Sequence, residues 1–438
     1  MNEFKRRFPP PPPDWSTQPM SAISTRITDR NDGGEANVLT ISAEHGLISQ
    51  KEYFNRRVAS DSLDGYFTLQ RGDFAYNKSY SKGYPLGAIR RLERYPSGVV
   101  SPLYICFRPH ADRVDANFLA HYLDGGALDA GLADVAKEGV RNHGLLNVGA
   151  GDFFQLPIAL PPLPEQAGIA EVLDTLDTTI RQTEAIIEKL KQVKQGLLHD
   201  LLTRGIDASG ELRPAKDTAP HLYMESPLGW IPKDWAVTSL DDACSNVVDC
   251  PHSTPNFVDS GVLVARTMHI KEGRFLEMGA SYVSEAEFKD RVARARPEPG
   301  DVVFTREAPV GEAFVIPPGM RICLGQRVML LRPRRDMLRG RFLVAQIYSG
   351  AVADRISALT AGTTNPHLNV ADVRRFVLPL PPVQEQELIE QKIDRLEDRI
   401  HDESALISKL GILKSGLMDD LLTGRVRVTP LLAQPATP

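Results

Sequence analysis

Cysteine is nearly missing from this sequence. Cys106, Cys244, Cys250 and Cys323 are its four thiols in 438 residues, too few and too scattered for a disulfide framework or a Cys-x-x-Cys metal site. They read as reduced structural residues. Long apolar runs are missing as well, since no stretch approaches the roughly 18 apolar residues of a membrane span. Met1 to Phe8 is charged and runs into five prolines, which is not the pattern of a signal peptide. Together these absences point to a cytoplasmic protein with no membrane partner. Aromatics reach only 7%, but a hydrophobic share of 42% excludes wholesale disorder. At about 150 residues per domain the length suggests two to four domains.

Catalytic signatures are missing too. A base-modifying enzyme would carry a glycine-rich cofactor loop and an Asn/Asp-Pro-Pro-aromatic motif. The nearest approach, Asn365-Pro366-His367, lacks the second proline and the aromatic. There is no Gly-Lys dipeptide, and so no Walker loop for phosphates. Glu287-Phe288-Lys289 faintly resembles a nuclease element, yet no paired upstream aspartate stands at suitable spacing, so it reads as a solvated helix face. The ten histidines show no metal spacing. His143 and His367 occupy corresponding places and read as polar loop residues. The expectation is a chain with no catalytic centre and no metal.

Excess positive charge, the usual mark of a nucleic-acid binder, is also absent: the net charge is −5. Its distribution is more telling. Residues 1–155 are balanced and 226–380 carry +2, whereas 156–225 carry −4 and 381–438 carry −3. Only the two short segments would repel a phosphate backbone.

What the sequence does contain is a repeat. A shift of 220 residues lays Glu165-Gln166 on Glu385-Gln386, and 17 of the 39 positions from Glu165 to Thr203 match their partners. Chance would give roughly two or three. The same shift lays Asp14-Trp15 on Asp234-Trp235. Between these points the halves agree only at landmarks. Gly72-Asp73 echoes Gly300-Asp301, Arg108-Pro109 echoes Arg332-Pro333, and Leu146-Asn147-Val148 echoes Leu368-Asn369-Val370. Each half is therefore a divergent module followed by a preserved acidic segment. The expected division is 1–155, a first divergent module; 156–207, a helix; 208–225, a linker; 226–378, a second module; 379–427, a second helix; and 428–438, a frayed tail.

The preserved segments read as long helices. In the first, a 4,3 spacing runs through Ile169, Leu173, Leu176, Ile180, Thr183, Ile187, Leu190, Lys194, Leu197 and Leu201. In the second it runs through Ile389, Ile393, Leu396, Ile400, Glu403, Ile407, Leu410, Lys414, Leu417 and Leu421. Strict 4,3 alternation is a coiled-coil seam. Both seams are interrupted at Thr183/Glu403 and at Lys194/Lys414, so the two helices are expected to pair with each other. Proline-rich starts and stops near Gly205 and Gly424 frame them. Periodicity alone leaves their relative direction open.

The divergent modules read as strand-rich, with short apolar runs such as Val99 to Phe107, Val262 to Arg266, Asp301 to Thr305 and Val328 to Arg332. Two polar loops suit phosphates and base edges. In the first module the candidates are Tyr76, Asn77, Lys78, Ser79 and Lys82, followed by Arg90 and Arg91. Eight of the eleven tyrosines fall in residues 1–155. In the second module the candidates are Thr305 and Arg306 at a loop tip beside Glu307, with Arg266, His269 and Lys271 upstream and Asn365 and His367 downstream.

This pattern resembles the specificity (S) subunit of type I restriction–modification systems. The resemblance rests on Pro161-Pro162-Leu163-Pro164-Glu165-Gln166 and Pro381-Pro382-Val383-Gln384-Glu385-Gln386, and on the Gly-Leu-x-x-Asp-Leu-Leu-Thr stretches at Gly196 to Thr203 and Gly416 to Thr423. Leu39 to Gly46, Gly72 to Ser79 and Thr363 to Val370 are phrases typical of such domains. The first copy departs where Arg204-Gly205 stands in place of Gly424-Arg425, which affects only the helix end. The resemblance implies an α+β fold of two strand-rich target-recognition domains in pseudo-twofold arrangement, separated by an antiparallel coiled coil. It also implies double-stranded DNA read as two unequal half-sites, with two modification subunits carrying S-adenosylmethionine. Restriction subunits driven by ATP and magnesium would supply cleavage. This chain would bind none of these cofactors. A coiled-coil DNA-binding scaffold without a methyltransferase partner is the alternative; a pure coiled-coil scaffold would explain the helices but not two whole strand-rich modules with basic loops.

Overall fold

A computed structural model describes residues 8–42, 45–54, 62–79, 84–136 and 146–429. The chain divides into two compact units: unit 1 is Met1–Glu184 with Ala405–Pro438, and unit 2 is Ala185–Ser404. In unit 1, β1 (Ser24–Ile27), β2 (Phe74–Asn77), β3 (Ala88–Arg91) and β4 (Ile105–Pro109) precede the long helix α1 (Leu163–Thr203). In unit 2, β5 (Cys244–Asp249), β6 (Val302–Arg306), β7 (Val310–Val315) and β8 (Val328–Pro333) precede α2 (Val383–Leu421). The strands form four-stranded antiparallel sheets of the same order, β1-β4-β2-β3 and β5-β8-β6-β7. A two-stranded ribbon closes each unit: Ser16–Pro19 pairs with Pro157–Leu160, and Ala236–Ser239 with Val377–Leu380. These pairs lie 220 residues apart.

The sequence landmarks are framework. Asp73 is buried, takes the Arg108 guanidinium at 2.7 Å and accepts the Gln70 N–H. Asp301 does the same with Arg332 at 2.8 Å and the Glu298 N–H. A buried carboxylate needs such partners, because an unpaired charge in a core costs several kcal/mol. Around each sheet a core closes. In unit 1, Phe74, Phe107 and Phe153 stack with Tyr76. In unit 2, Phe304, Phe342 and Phe376 pack with Leu201, Ile389 and Ile393. Each such side chain contributes about 1.5–3 kcal/mol of burial.

The 4,3 line is the packed face of both helices. Ile169, Leu173, Ile187 and Leu201 are buried on α1, and Leu176, Ile180, Leu190 and Leu197 half-buried. On α2, Ile389, Ile393 and Leu421 are buried, and Leu396, Ile400, Ile407, Leu410 and Leu417 half-buried. The seam lysines meet acids on the opposite helix, Lys194 on Glu397 at 2.6 Å in unit 2 and Lys414 on Asp177 at 2.5 Å in unit 1. As 177 rises to 194, its partner falls from 414 to 397, so the helices are antiparallel. The same 220-residue shift converts one bridge into the other. A charged pair at one seam position fixes register where leucines alone would slide.

Each helix start is locked by the end of the other helix. In unit 1, Arg427 follows α2 and clasps buried Glu165 of α1 together with Asp14. In unit 2, Arg213 follows α1 and clasps buried Glu385 of α2, which also accepts the Trp235 indole N–H. The neighbouring glutamines staple the helices to their globules. Gln166 accepts from the Asp115 N–H and donates to the Pro161 carbonyl, and Gln386 accepts from the Arg339 N–H and donates to that of Pro381. The stop glycines have little alternative. Gly205 and Gly424 sit at φ 67° and 69°, and an added Cβ would lie within 2.4 Å of Trp235 and 2.5 Å of Pro12 respectively.

The segment 208–225 packs on unit 2 through Arg213 and through Tyr223, whose hydroxyl donates to the Pro214 carbonyl. Beyond α2, Val428 is buried in the unit 1 core, and residues 430–438 lie outside the described residues. Among the described residues no helix is long and apolar enough to cross a membrane, and no group of His, Cys, Asp and Glu could hold a metal.

Candidate nucleic-acid interface

Antiparallel pairing places four chain segments at one end of the unit 2 sheet: the end of β5, the β6–β7 turn, the start of β8 and residues 363–368. Three main-chain bonds stitch them together. The Arg306 N–H donates to the Arg327 carbonyl, the Leu368 N–H to the Arg306 carbonyl, and the Cys250 N–H to the Val328 carbonyl. The corresponding end of unit 1 has one of the same stitches, with the Leu146 N–H donating to the Lys78 carbonyl. Lys78 and Arg306 therefore occupy equivalent places.

Of the expected contact residues, three are buried and leave the list. Strand alternation and hairpin packing turn them inward. Tyr76 stacks on Phe153 and donates its hydroxyl to the Leu86 carbonyl; burial also pushes its acidity far from the usual range. Thr305 is fully buried and accepts the Glu312 N–H. His269 is fully buried, with its ring nitrogens beside the Val264 and Gly279 carbonyls. Lys82 and His143 lie outside the described residues.

Three arginines are committed to neighbours. Arg306 is a pillar, its side chain only 12% exposed. Its guanidinium lies 3.1 Å from Asp249, 3.5 Å from Glu307 and 3.4 Å from the Leu368 carbonyl. Arg90 is clasped by Asp124 and stacks on Tyr84 at 4.9 Å. Arg91 is held by Glu93 and Asn117.

The remaining candidates keep access to solvent. Asn77, Lys78 and Ser79 are half-buried at the end of β2, with the Lys78 ammonium 3.4 Å from the Val148 carbonyl. Asn365 and His367 are exposed, and His367 bridges Glu307 in main-chain pairing. Arg266 stacks over Phe257 at 5.0 Å beside the Gly325 turn. Lys271 is exposed but sits on the Ile270–Phe275 hairpin, along the outer edge of β7 rather than at its tip. The structure adds Arg327, which sequence reasoning missed. It is 56% exposed and lies 3.4 Å from Glu307. Its only sequence signal is a polar Gly325-Gln326-Arg327 turn just before the apolar run of β8. Glu287-Phe288-Lys289 is a short helix whose Phe288 is buried and whose Glu287 pairs with Arg291.

None of the thiols offers a nucleophile: all four cysteines are free and buried, and burial pushes Cys106 and Cys244 up to about 12 and Cys323 to about 11.

A family model described as the type I restriction modification DNA specificity domain matches residues 95–192 and 232–410. The chain belongs to this family. It is 23% identical over 307 residues to the type I restriction enzyme MjaVIII specificity subunit of Methanocaldococcus jannaschii, covering 67% of this chain and 68% of that one. It is 22% identical over 410 residues to the EcoDI specificity subunit of Escherichia coli, covering 88% and 82%. Its fold is similar to that of the type I restriction-modification system S subunit from M. genitalium, with TM-score 0.54, 12% identity and coverage of 93% and 96%. Within this specificity family, the repeated framework is what the two halves have in common, and the sheet-end residues are where they part.

Proposed function

We propose that this chain is the DNA sequence-recognition subunit of a type I restriction–modification complex. Each unit reads one half of a bipartite, asymmetric site in duplex DNA, and the helix pair spans an unread spacer. The observation that carries this reading is one sheet presented twice, with identical order and identical aspartate–arginine locks but different residues at the loop end. Lys78 and Ser79 stand in unit 1 where Arg306 and Glu307 stand in unit 2. A framework that repeats while its tips diverge suits two unequal half-sites.

Methyl transfer to a base requires the base to be flipped from the stack into an enzyme pocket. This chain supplies the address and leaves that chemistry to two modification subunits, which bring S-adenosylmethionine. Restriction subunits bring ATP and magnesium. The work is done in the cytoplasm, on the cell's own DNA and on incoming DNA. The test is methyl transfer with labelled S-adenosylmethionine. The isolated chain should transfer nothing, and its complex with the modification subunits should methylate a site with two separated half-sites. Transfer by the isolated chain, or a contiguous site, would overturn the reading.

A further inference from the structure

Arg327 is an exposed cation at the sheet end of unit 2, and its placement is unusual. Its backbone sits at φ 66°, a left-handed conformation that side chains other than glycine rarely adopt. Such conformations persist where surrounding structure over-determines them, and they cluster at binding sites. Here two contacts hold it. Its carbonyl accepts the Arg306 N–H at 3.0 Å, and its guanidinium lies 3.4 Å from the Glu307 carboxylate. Arg306 in turn anchors Glu307 at 3.5 Å and Asp249 at 3.1 Å. The buried arginine is the post from which an exposed arginine and a half-exposed glutamate are presented side by side.

This quartet of two arginines and two carboxylates is formally neutral. A phosphate-binding spot needs surplus positive charge, and a carboxylate beside the donor repels the phosphate. A base pair carries no charge and presents a pattern instead. In the major groove a G·C pair shows two acceptors on guanine, N7 and O6, beside a donor, the N4 amino group of cytosine. Arginine supplies the paired donors for guanine, and a carboxylate accepts from cytosine. Resting on the DNA-recognition reading above, we infer that Arg327 and Glu307 together read one G·C base pair, Arg327 on guanine and Glu307 on cytosine. The corresponding unit 1 positions, by the offsets that align Lys78 with Arg306 and Arg108 with Arg332, are Leu103 and Ser79. Neither side chain can form the paired-donor contact, so the inferred reading belongs to the unit 2 half-site alone.

The experiment uses the chain assembled with its modification subunits. Binding is measured by fluorescence anisotropy against the duplex site found by methylome sequencing, and against duplexes with each position replaced in turn. Arg327→Gly removes the side chain and relieves the left-handed backbone, so folding is not the cause of any loss; the melting temperature should stay level or rise. The expected result is a loss of discrimination of roughly 5- to 100-fold at a single G·C position of one half-site, with the other half-site untouched. Glu307→Gln should relax the same position. Unchanged discrimination at every position in both variants overturns the inference, as does a uniform loss across sequences with a shallower salt dependence, which marks a phosphate contact. Failure of the unmutated complex to prefer any sequence would instead overturn the recognition reading itself.

Discussion

Unit 1 and unit 2 do the same structural jobs with different parts. The glutamate at the start of α1 is held by Arg427, which Asp14 also shares, and that arginine is 27% exposed. The glutamate at the start of α2 is held by Arg213, only 10% exposed, with the Trp235 indole as a second donor. The indole N–H of Trp15, the counterpart of Trp235, has no hydrogen-bond partner among the described residues. Along the helices, Asp177 of unit 1 takes Lys414 and lies 4.0 Å from His121, whereas Glu397 of unit 2 takes Lys194 and Arg341. The difference teaches that the frame is defined by where a charge must be neutralised, and that the neutralising residue is free to come from different elements. The sheet ends are under no such demand, which leaves them free to diverge.

The comparison can be broken at the helix starts. Arg213→Ala strands the Glu385 carboxylate in a dry site and should cost about 3–5 kcal/mol in unit 2. Arg427→Ala strands Glu165, which is 1% exposed against 8% for Glu385 and keeps no second donor among the described residues, so it should cost at least as much in unit 1. Urea unfolding followed by tryptophan fluorescence checks both. A clearly smaller cost for Arg427→Ala would mean that water reaches Glu165 through the half-exposed place of the arginine.

A smaller effect is expected in the seam. Lys194→Met leaves Glu397 with Arg341 still in place, whereas Lys414→Met leaves Asp177 with His121, which lies 4.0 Å away and is shared with Asp174. Each should cost on the order of 1 kcal/mol, with Lys414 the more costly. Thermal unfolding of the two variants decides the order, and the reverse order would show that Arg341 does not shield Glu397.

How much of this was legible in the sequence follows the same division. The duplication, the helix pair and the aspartate–arginine landmarks were readable because repetition marks what both halves need. Spacing is blind to the direction of the helices; the family resemblance implied antiparallel pairing, and Lys194 on Glu397 and Lys414 on Asp177 show it. The exposure of the candidate contact residues was partly misread. Thr305 and Tyr76 lie in polar stretches, but their strands are buried and turn both inward. Arg306 looked like a tip residue because charge suggests exposure, yet a ring of acceptors makes it a post. Arg327 was missed because its left-handed turn is set by tertiary bonds that leave no mark on composition.

The smallest effect is the response to acid. Burial works against ionisation of Glu397, but Arg341 and Lys194 still hold its carboxyl below the usual glutamate range. A depressed folded-state value means that the stabilisation is present above the unfolded value of about 4.5 and is lost as pH falls below it. Glu390, which burial pushes upward even against Arg339, works in the opposite direction. Unit 2 should therefore lose only a little stability on acidification through Glu397, and Glu397→Gln should flatten that part of the profile. An unchanged profile in melting curves between about pH 6 and about pH 3 would show that the lysine and arginine do not act through this carboxylate.

The central claim is that one frame carries two independent readers, and a module exchange tests it most directly. Residues 234–379 are replaced by a second copy of residues 14–159, with one joint just before and the other inside the equivalent closing ribbons. The assembled enzyme is then read by methylome sequencing. Two copies of the first half-site, inverted with respect to each other because the helices are antiparallel, with the original spacer length retained, is the predicted motif. An asymmetric motif that still contains the old second half-site would contradict the account.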